Sequence, residues 1–260
     1  MKKVLSFAAI FLIIGSCFAQ DFGVYQRNEF KSDKGILPYR IFFPDNFDAT
    51  KEYPILFFLH GAGERGNNNE SQLVHGASLF IKKEIHTKYP AIVVLPQCPA
   101  TDYWSNVNVV TDQAGKRDFQ FKKEGPPTDA LHMVIGLIEQ TLKNYPIKKD
   151  QVYVGGLSMG GMGTFELVRR IPNTFAAAFA ICGGANVETA PKLTNTDWWI
   201  FHGAKDQVVP VELSQAMNTA LKNAGANVKL TIYPEDGHDS WTSAFAEPDF
   251  MDWLFSKRKK

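Results

Sequence analysis

Ser158 is the residue whose neighbours in the sequence most clearly suggest chemistry. It lies between Gly156 and Gly160, after the apolar run 152–154 and before a helical pattern over 164–170. A strand that turns sharply into a helix strains the backbone of its central residue, and glycines two positions away on each side avoid clashes. The hydroxyl is then presented at a helix N-terminus, where negative charge is stabilised. This pattern predicts a serine nucleophile.

The base and the orienting acid that such a serine needs are predicted from the strands that follow it. A serine hydroxyl is a weak nucleophile at neutral pH without them. They should follow strands at their carboxyl ends, because that edge of a parallel sheet also presents the serine. Asp206 follows the apolar run 198–202, and His238 follows the run 228–233. Ser158, Asp206 and His238 are therefore predicted to form a catalytic triad.

Other titratable residues are weaker candidates for these roles. His60 and His202 also end strands, but each leads into a glycine turn, which favours a role in anchoring loops. Three further histidines are expected to be solvated on helical or surface segments: His75, His86 and His132. Three acidic residues near His238 stay open as alternatives to Asp206: Glu235, Asp236 and Asp239.

Two backbone amides are expected to bind the oxyanion of an acyl-transfer intermediate. The amide of Met159, directly after the serine, should supply one hydrogen bond. The loop 60–63, with the sequence His-Gly-Ala-Gly, follows a continuous apolar strand and should supply the other. Ala62 is the expected donor in that loop, with Gly63 as the alternative.

The pattern of strands and helices predicts the fold. Continuous apolar runs at 54–59 and 91–95 are typical of parallel strands covered on both faces. Strands and helical patterns then alternate along the rest of the chain, which predicts an α/β fold with a mostly parallel, doubly wound sheet and helices on both faces. The segment 21–43 should form an N-terminal antiparallel hairpin around the turn 32–35.

A loop is expected over 100–127, and loops of this length in compact domains are usually functional or disordered. It carries Trp104. Together with Trp241, this residue could form an aromatic wall that binds substrate, either a planar acyl group or a sugar ring. Packing in the core or at its rim is the alternative for both tryptophans.

The predicted strand order keeps Cys98 and Cys182 apart. Two strands should separate the strands that end at these residues, which puts their Cα atoms roughly 14 Å apart. A disulfide can join Cα atoms only up to ~7 Å apart. Both cysteines are therefore predicted to be free thiols.

The N-terminus predicts export. Lys2 and Lys3 precede an apolar run over 4–14 that has the length of a signal-peptide core and is too short to span a membrane. Residues 1–19 are interpreted as a signal peptide, with a single domain over 21–257. Lipidation at Cys17 is the alternative to cleavage after residue 19, and in either case the protein is expected in the periplasm or outside the cell.

Charge argues against polyanionic partners. The 260 residues carry a formal net charge of +1, which gives no electrostatic reason to expect a nucleic acid. A small or neutral substrate is expected instead, and no membrane span is predicted.

These residues together resemble the α/β-hydrolase superfamily, and above all the single-domain, dienelactone-hydrolase-like esterases and "predicted peptidases" of bacteria. The matching stretches are the run 60–66, the run 96–99 with Trp104, the serine turn, His202-Gly203 with Asp206, and the run 237–241. The resemblance implies hydrolysis of a carboxylic ester through an acyl-enzyme, without a metal or an organic cofactor.

The sequence departs from relatives of this kind in ways that suggest a substrate. Dienelactone hydrolases proper use a cysteine where this chain has Ser158, and the short segment 183–197 provides no sizeable lid. An open site suits bulky or polymer-attached esters, so a feruloyl or acetyl ester of plant polysaccharide is expected by analogy. A serine peptidase or aminopeptidase is the alternative, because the same triad cleaves amides. A non-catalytic binding protein of the same fold is the third hypothesis.

Overall fold

The computed structural model describes residues 22–115 and 117–259. The described residues form ten strands: β1 (Gln26–Ser32), β2 (Gly35–Phe42), β3 (Tyr53–Leu59), β4 (Ile92–Pro96), β5 (Val107–Thr111), β6 (Arg117–Phe121), β7 (Ile147–Leu157), β8 (Ala177–Ile181), β9 (Asp197–Gly203) and β10 (Val228–Tyr233). They also form seven α-helices: α1 (Ala77–Phe80), α2 (Lys83–Lys88), α3 (Asp129–Asn144), α4 (Met159–Arg170), α5 (Val211–Asn223), α6 (Trp241–Ala246) and α7 (Phe250–Ser256). The expected signal peptide and the lipidation site at Cys17 lie outside this part of the chain.

Eight strands form one sheet in the order β1-β2-β4-β3-β7-β8-β9-β10. The six strands from β4 to β10 in this order are parallel, and β2 joins β4 in the antiparallel direction. This arrangement confirms the mostly parallel sheet of an α/β-hydrolase fold.

The N-terminal hairpin is also confirmed. β1 pairs with β2 in antiparallel register, with Ser32 opposite Gly35 at the turn. The first strand begins later than the sequence indicates, because Phe22–Val24 forms a 3-10 turn instead of an extended segment. This turn has no buried residue, so its apolar side chains do not belong to a strand of the core.

Side chains of the fully buried strand β3 point alternately into two hydrophobic clusters. Ile55 and Phe57 face a cluster that contains residues of α3 and α4. Leu56 and Phe58 face a second cluster that contains residues of α7. Helices therefore cover both faces of the sheet, as the continuous apolar run of β3 predicts.

The segment 100–127 differs from the expected loop, because it contains the strands β5 and β6. They pair as a separate antiparallel hairpin. Phe119 of β6 packs against Met162 and Val209, which fixes the hairpin above the carboxyl edge of the main sheet. Phe119 is the one buried residue in these two strands, so they lack the apolar alternation that identifies a core strand.

Both cysteines in the described part of the chain are free and buried. Strands β3 and β7 lie between β4, which precedes Cys98, and β8, which precedes Cys182. The prediction of two separated thiols is confirmed.

No helix in the described ranges is both long enough and apolar enough to cross a lipid bilayer.

Candidate active site

Ser158 lies at the sharp turn from β7 into α4, with a left-handed φ of 53°. The turn brings backbones so close together that a Cβ on Gly160 would lie 1.9 Å from the carbonyl oxygen of Leu59, and one on Gly156 would lie 2.5 Å from the carbonyl oxygen of Gly160. Any side chain there would force the strand and the helix apart. The Ser158 amide donates to the carbonyl of Ile181 at 2.8 Å, which holds the turn on β8.

The structure brings Ser158, His238 and Asp206 together. His238 Nε2 lies 3.0 Å from Ser158 Oγ, and His238 Nδ1 lies 2.8 Å from Asp206 Oδ2. Because a carboxylate only accepts, Nδ1 carries the proton and Nε2 is free to accept the serine proton. Glu235, an alternative acid in the sequence, instead pairs with Lys205. The three residues have the contacts that a nucleophile, a base and an orienting acid require.

Asp206 is held as a carboxylate by several donors. Its Oδ1 accepts from the amides of Val208 and Val209 at 2.8 and 2.9 Å. Its Oδ2 also lies 3.2 Å from Nε2 of His202. Burial alone would raise the pKa of Asp206, but the hydrogen bonds from His202, His238 and the two amides outweigh it and hold the pKa well below its usual range. Asp206 therefore stays ionised beside His238.

His202 anchors the loop that carries Asp206. The ring is fully buried, with Nδ1 2.7 Å from Ser214 Oγ and Nε2 2.9 Å from the carbonyl oxygen of Val209. The expected anchoring role agrees with these contacts. The sequence did not reveal that the ring also reaches the acid of the triad. The spacing of four residues between His202 and Asp206, across a glycine turn, is the signal that could have indicated it.

His60 anchors the other loop of the site. Its Nε2 accepts from the amide of Cys98 at 2.9 Å, so its Nδ1 carries the proton and donates to the carbonyl oxygen of Gly61 at 2.6 Å. Burial lowers the pKa of His60 to about 4, which keeps the ring neutral at pH 7. Trp104 Nε1 donates to the carbonyl oxygen of His60 at 3.1 Å. The start of the loop 60–63 is thus fixed from both sides.

The amides of Met159 and Ala62 flank Ser158, the predicted nucleophile. Met159 is the first residue of α4, and the loop of Ala62 lies so near that a Cβ on Gly61 would be 3.7 Å from Ser158 Cβ. Neither amide has an acceptor among the described residues, and the same holds for Gly63. The site therefore offers unpaired donors from both sides of Ser158, as an oxyanion hole requires.

The structure contradicts the expected substrate contact of Trp104. This residue is 0% exposed and packs under the loop 60–63. It lies against α4, where a Cβ added to Gly163 would be 2.4 Å from the Cβ of Trp104. The missing side chain at Gly163 makes room for the indole in the core. Trp241 does lie at the site, with its ring centroid 5.4 Å from that of His238 and the two rings edge to face.

A groove of about 980 Å³ runs beside the triad, between the hairpin β5–β6 and the loop after β9. Asp206 is one of its lining residues, and apolar side chains of Phe119, Val208 and Leu213 line it together with charged residues of the hairpin. The sequence did not predict this groove, since it depends on where the hairpin packs.

One group of potential metal ligands occurs in the described part of the chain: Cys182, Asp206 and His238. Burial raises the pKa of the Cys182 thiol far above its usual range, whereas a metal binds the thiolate. Asp206 and His238 are hydrogen-bonded to each other. This donor set therefore fits a triad above a buried thiol and does not fit a metal centre.

The sheet order and the serine turn define an α/β hydrolase. The chain belongs to the phospholipase/carboxylesterase family, whose model matches residues 47–248.

Similar proteins include esterases of several kinds. The chain is 28% identical over 184 residues to a bifunctional acetylxylan esterase/xylanase of Neocallimastix patriciarum, covering 70% of this chain and 23% of that protein. It is 25% identical over 198 residues to lysophospholipase-like protein 1 of Mus musculus, covering 71% and 79%. A thermostable esterase of known structure has 32% identity and a TM-score of 0.81, covering 91% of this chain and 64% of that one. The chain thus spans about a quarter of the first relative and less than two thirds of the solved esterase.

Proposed function

We propose that this protein is an exported serine carboxylesterase that works through an acyl-enzyme on a small or polysaccharide-linked ester. The observation that carries the proposal is the continuous contact from Ser158 Oγ to His238 Nε2, at 3.0 Å, and from His238 Nδ1 to Asp206 Oδ2, at 2.8 Å. Membership of the phospholipase/carboxylesterase family supports an ester as the substrate.

The reaction proceeds in two halves. His238 takes the proton of Ser158 as the serine oxygen attacks the ester carbonyl, and the amides of Met159 and Ala62 stabilise the oxyanion. His238 then gives this proton to the leaving alcohol oxygen as the ester C–O bond breaks, which leaves the acyl group on Ser158. In the second half His238 takes a proton from water as the water oxygen attacks the acyl carbonyl. His238 then gives this proton to Ser158 Oγ as the bond between Oγ and the acyl carbon breaks, which releases the acid and restores the serine. Asp206 stabilises the imidazolium in both halves.

An acetyl or feruloyl ester of plant polysaccharide is the proposed substrate. The groove beside Asp206 is lined by residues of the hairpin β5–β6 and of the loop after β9, which offers space for a chain that extends beyond the ester. A relative described as an acetylxylan esterase/xylanase supports an acetyl group on a polysaccharide. The signal-peptide pattern at residues 1–19 supports contact with extracellular polymer.

Hydrolysis assays on protein lacking residues 1–19 test the proposal. The substrates are p-nitrophenyl acetate, methyl ferulate and an aminoacyl-p-nitroanilide. Ser158→Ala should lower ester turnover by about a million-fold, because the nucleophile is lost. Ser256→Ala, at an exposed serine of α7, is the matched control and should keep the wild-type rate.

The acyl class follows from the ratio of the rates on ferulate and acetate. Cleavage of the anilide alone would contradict the esterase hypothesis and support a serine peptidase. Folded protein that cleaves none of the three substrates would contradict both enzymes and favour a binding protein.

A further inference from the structure

The carboxylate of Glu64 lies beside the proposed triad and takes no part in the proposed reaction. This residue ends the 3-10 turn Ala62–Glu64 in the loop that supplies the oxyanion amide. A Cβ on Gly61 would lie 3.0 Å from Glu64 Oε2 and 3.7 Å from Ser158 Cβ. The carboxylate therefore lies on the same side of the loop as the nucleophile.

The Glu64 carboxylate has unused hydrogen-bonding capacity. Its side chain is 12% exposed, and in the described ranges no hydrogen bond reaches either of its oxygens. His75 Nε2 lies 3.7 Å from Oε1, which is too long for a hydrogen bond. A carboxylate can accept about four hydrogen bonds. Donors from a bound substrate therefore find free acceptor positions on Glu64.

Two side chains, those of His75 and Trp241, connect Glu64 to His238. The His75 ring lies 5.0 Å from the ring of Trp241, and Trp241 lies 5.4 Å from the ring of His238. Glu64, His75 and Trp241 thus form one wall of the site, called here the acidic wall, which runs from the oxyanion loop to His238. It combines an anionic acceptor, an imidazole and an aromatic surface.

We propose that the acidic wall binds hydroxyl groups on the sugar that carries the ester, so that Glu64 selects saccharide esters; this inference rests on the proposed esterase function. A hydroxyl both donates and accepts, which matches a carboxylate next to an imidazole. An ammonium group can only donate hydrogen bonds. A second carboxylate beside Glu64 would therefore suit an ammonium group better than the imidazole that lies there. The half-buried indole of Trp241 adds an apolar surface for the face of a sugar ring.

Two esters with the same acyl group test the proposal: a monoacetylated methyl xyloside and p-nitrophenyl acetate. The measured quantity is kcat/KM on the xyloside divided by kcat/KM on p-nitrophenyl acetate. Effects on acyl transfer largely cancel in this ratio, because both esters carry the same acyl group. Glu64→Gln should lower the ratio about tenfold, chiefly through the KM of the xyloside, because a charged acceptor is replaced by a neutral one. His75→Phe, which keeps a ring against Trp241, should also lower it. Glu70→Gln, at an exposed glutamate paired with Arg27, should keep the wild-type ratio.

The outcomes separate this inference from the proposed function. If the wild type cleaves p-nitrophenyl acetate but Glu64→Gln leaves the ratio unchanged, hydroxyl binding by Glu64 is wrong while the esterase stands. The same conclusion follows if the wild type cleaves the aryl ester and ignores the xyloside acetate. If Glu64→Gln lowers kcat/KM more on alanine methyl ester than on the xyloside, Glu64 binds an ammonium group and not a hydroxyl group. Folded wild type that is inactive on all esters would refute the esterase itself.

Discussion

Replacing His60 by glutamine should remove part of the acid sensitivity of this protein. The His60 ring is 1% exposed, and its two nitrogens are used by the amide of Cys98 and the carbonyl oxygen of Gly61. Burial lowers the pKa of His60 to about 4, from an ordinary value near 6.5. The folded protein therefore keeps the ring neutral over a range of pH in which the unfolded chain protonates it.

The sign and size of the effect follow from proton linkage. Between pH 6.5 and pH 4 the unfolded chain binds more protons than the folded protein at this residue, so the free energy of unfolding falls as the pH falls. The difference between the two pKa values corresponds to about 3 kcal/mol in total. Of this, about 2 kcal/mol is lost between pH 7 and pH 5.

Urea denaturation at pH 7 and pH 5 measures this loss. The wild type should lose about 2 kcal/mol more over this interval than His60→Gln, even though the variant starts from a lower stability at pH 7. His132→Gln, at a half-exposed histidine of α3, is the matched control and should lose as much as the wild type. Equal losses for the wild type and His60→Gln would show that a buried neutral imidazole at His60 is not the source of the acid sensitivity.

Two further substitutions test the serine turn and the acid of the triad. Gly160→Ala should destabilise the protein by more than about 3 kcal/mol, measured by urea denaturation, because its Cβ would lie 1.9 Å from the carbonyl oxygen of Leu59. A change below about 1 kcal/mol would contradict the close approach. His202→Gln should lower kcat/KM on p-nitrophenyl acetate by about tenfold, because Asp206 loses a donor to its Oδ2. Wild-type kinetics in a folded His202→Gln protein would show that Asp206 does not need this contact.

The predicted catalytic residues come together because their local signals are strict. A serine between two glycines, after a buried strand and before a helix, leaves little freedom for the turn, since a side chain at Gly156 or Gly160 would collide with backbone. Asp206 follows the buried strand β9 and His238 follows the partly exposed edge strand β10, each by a few residues. The parallel direction of the sheet brings these strand ends to one edge.

The position of Trp104 depends on contacts that no local pattern contains. A tryptophan in a long loop serves equally well as a substrate contact or as a core residue. Trp104 is a core residue because the absence of a side chain at Gly163 of α4 leaves space for it. His75, expected to be solvated, lies against Trp241 for a similar reason. Neither contact could be inferred without knowing how distant segments pack.

The two histidines that end strands explain how short loops can hold a site firmly. His60 directly follows β3 and His202 lies near the end of β9, and each is followed by a glycine at the start of a loop of the candidate site. Each ring is buried and hydrogen-bonded to backbone beyond its own strand, His60 to the amide of Cys98 and His202 to the carbonyl of Val209. The loop of Ala62 and the loop of Asp206 are therefore both tied to the rigid sheet. Since Ser158 also lies at a strand end, the sheet fixes the relative positions of Ala62, Asp206 and Ser158.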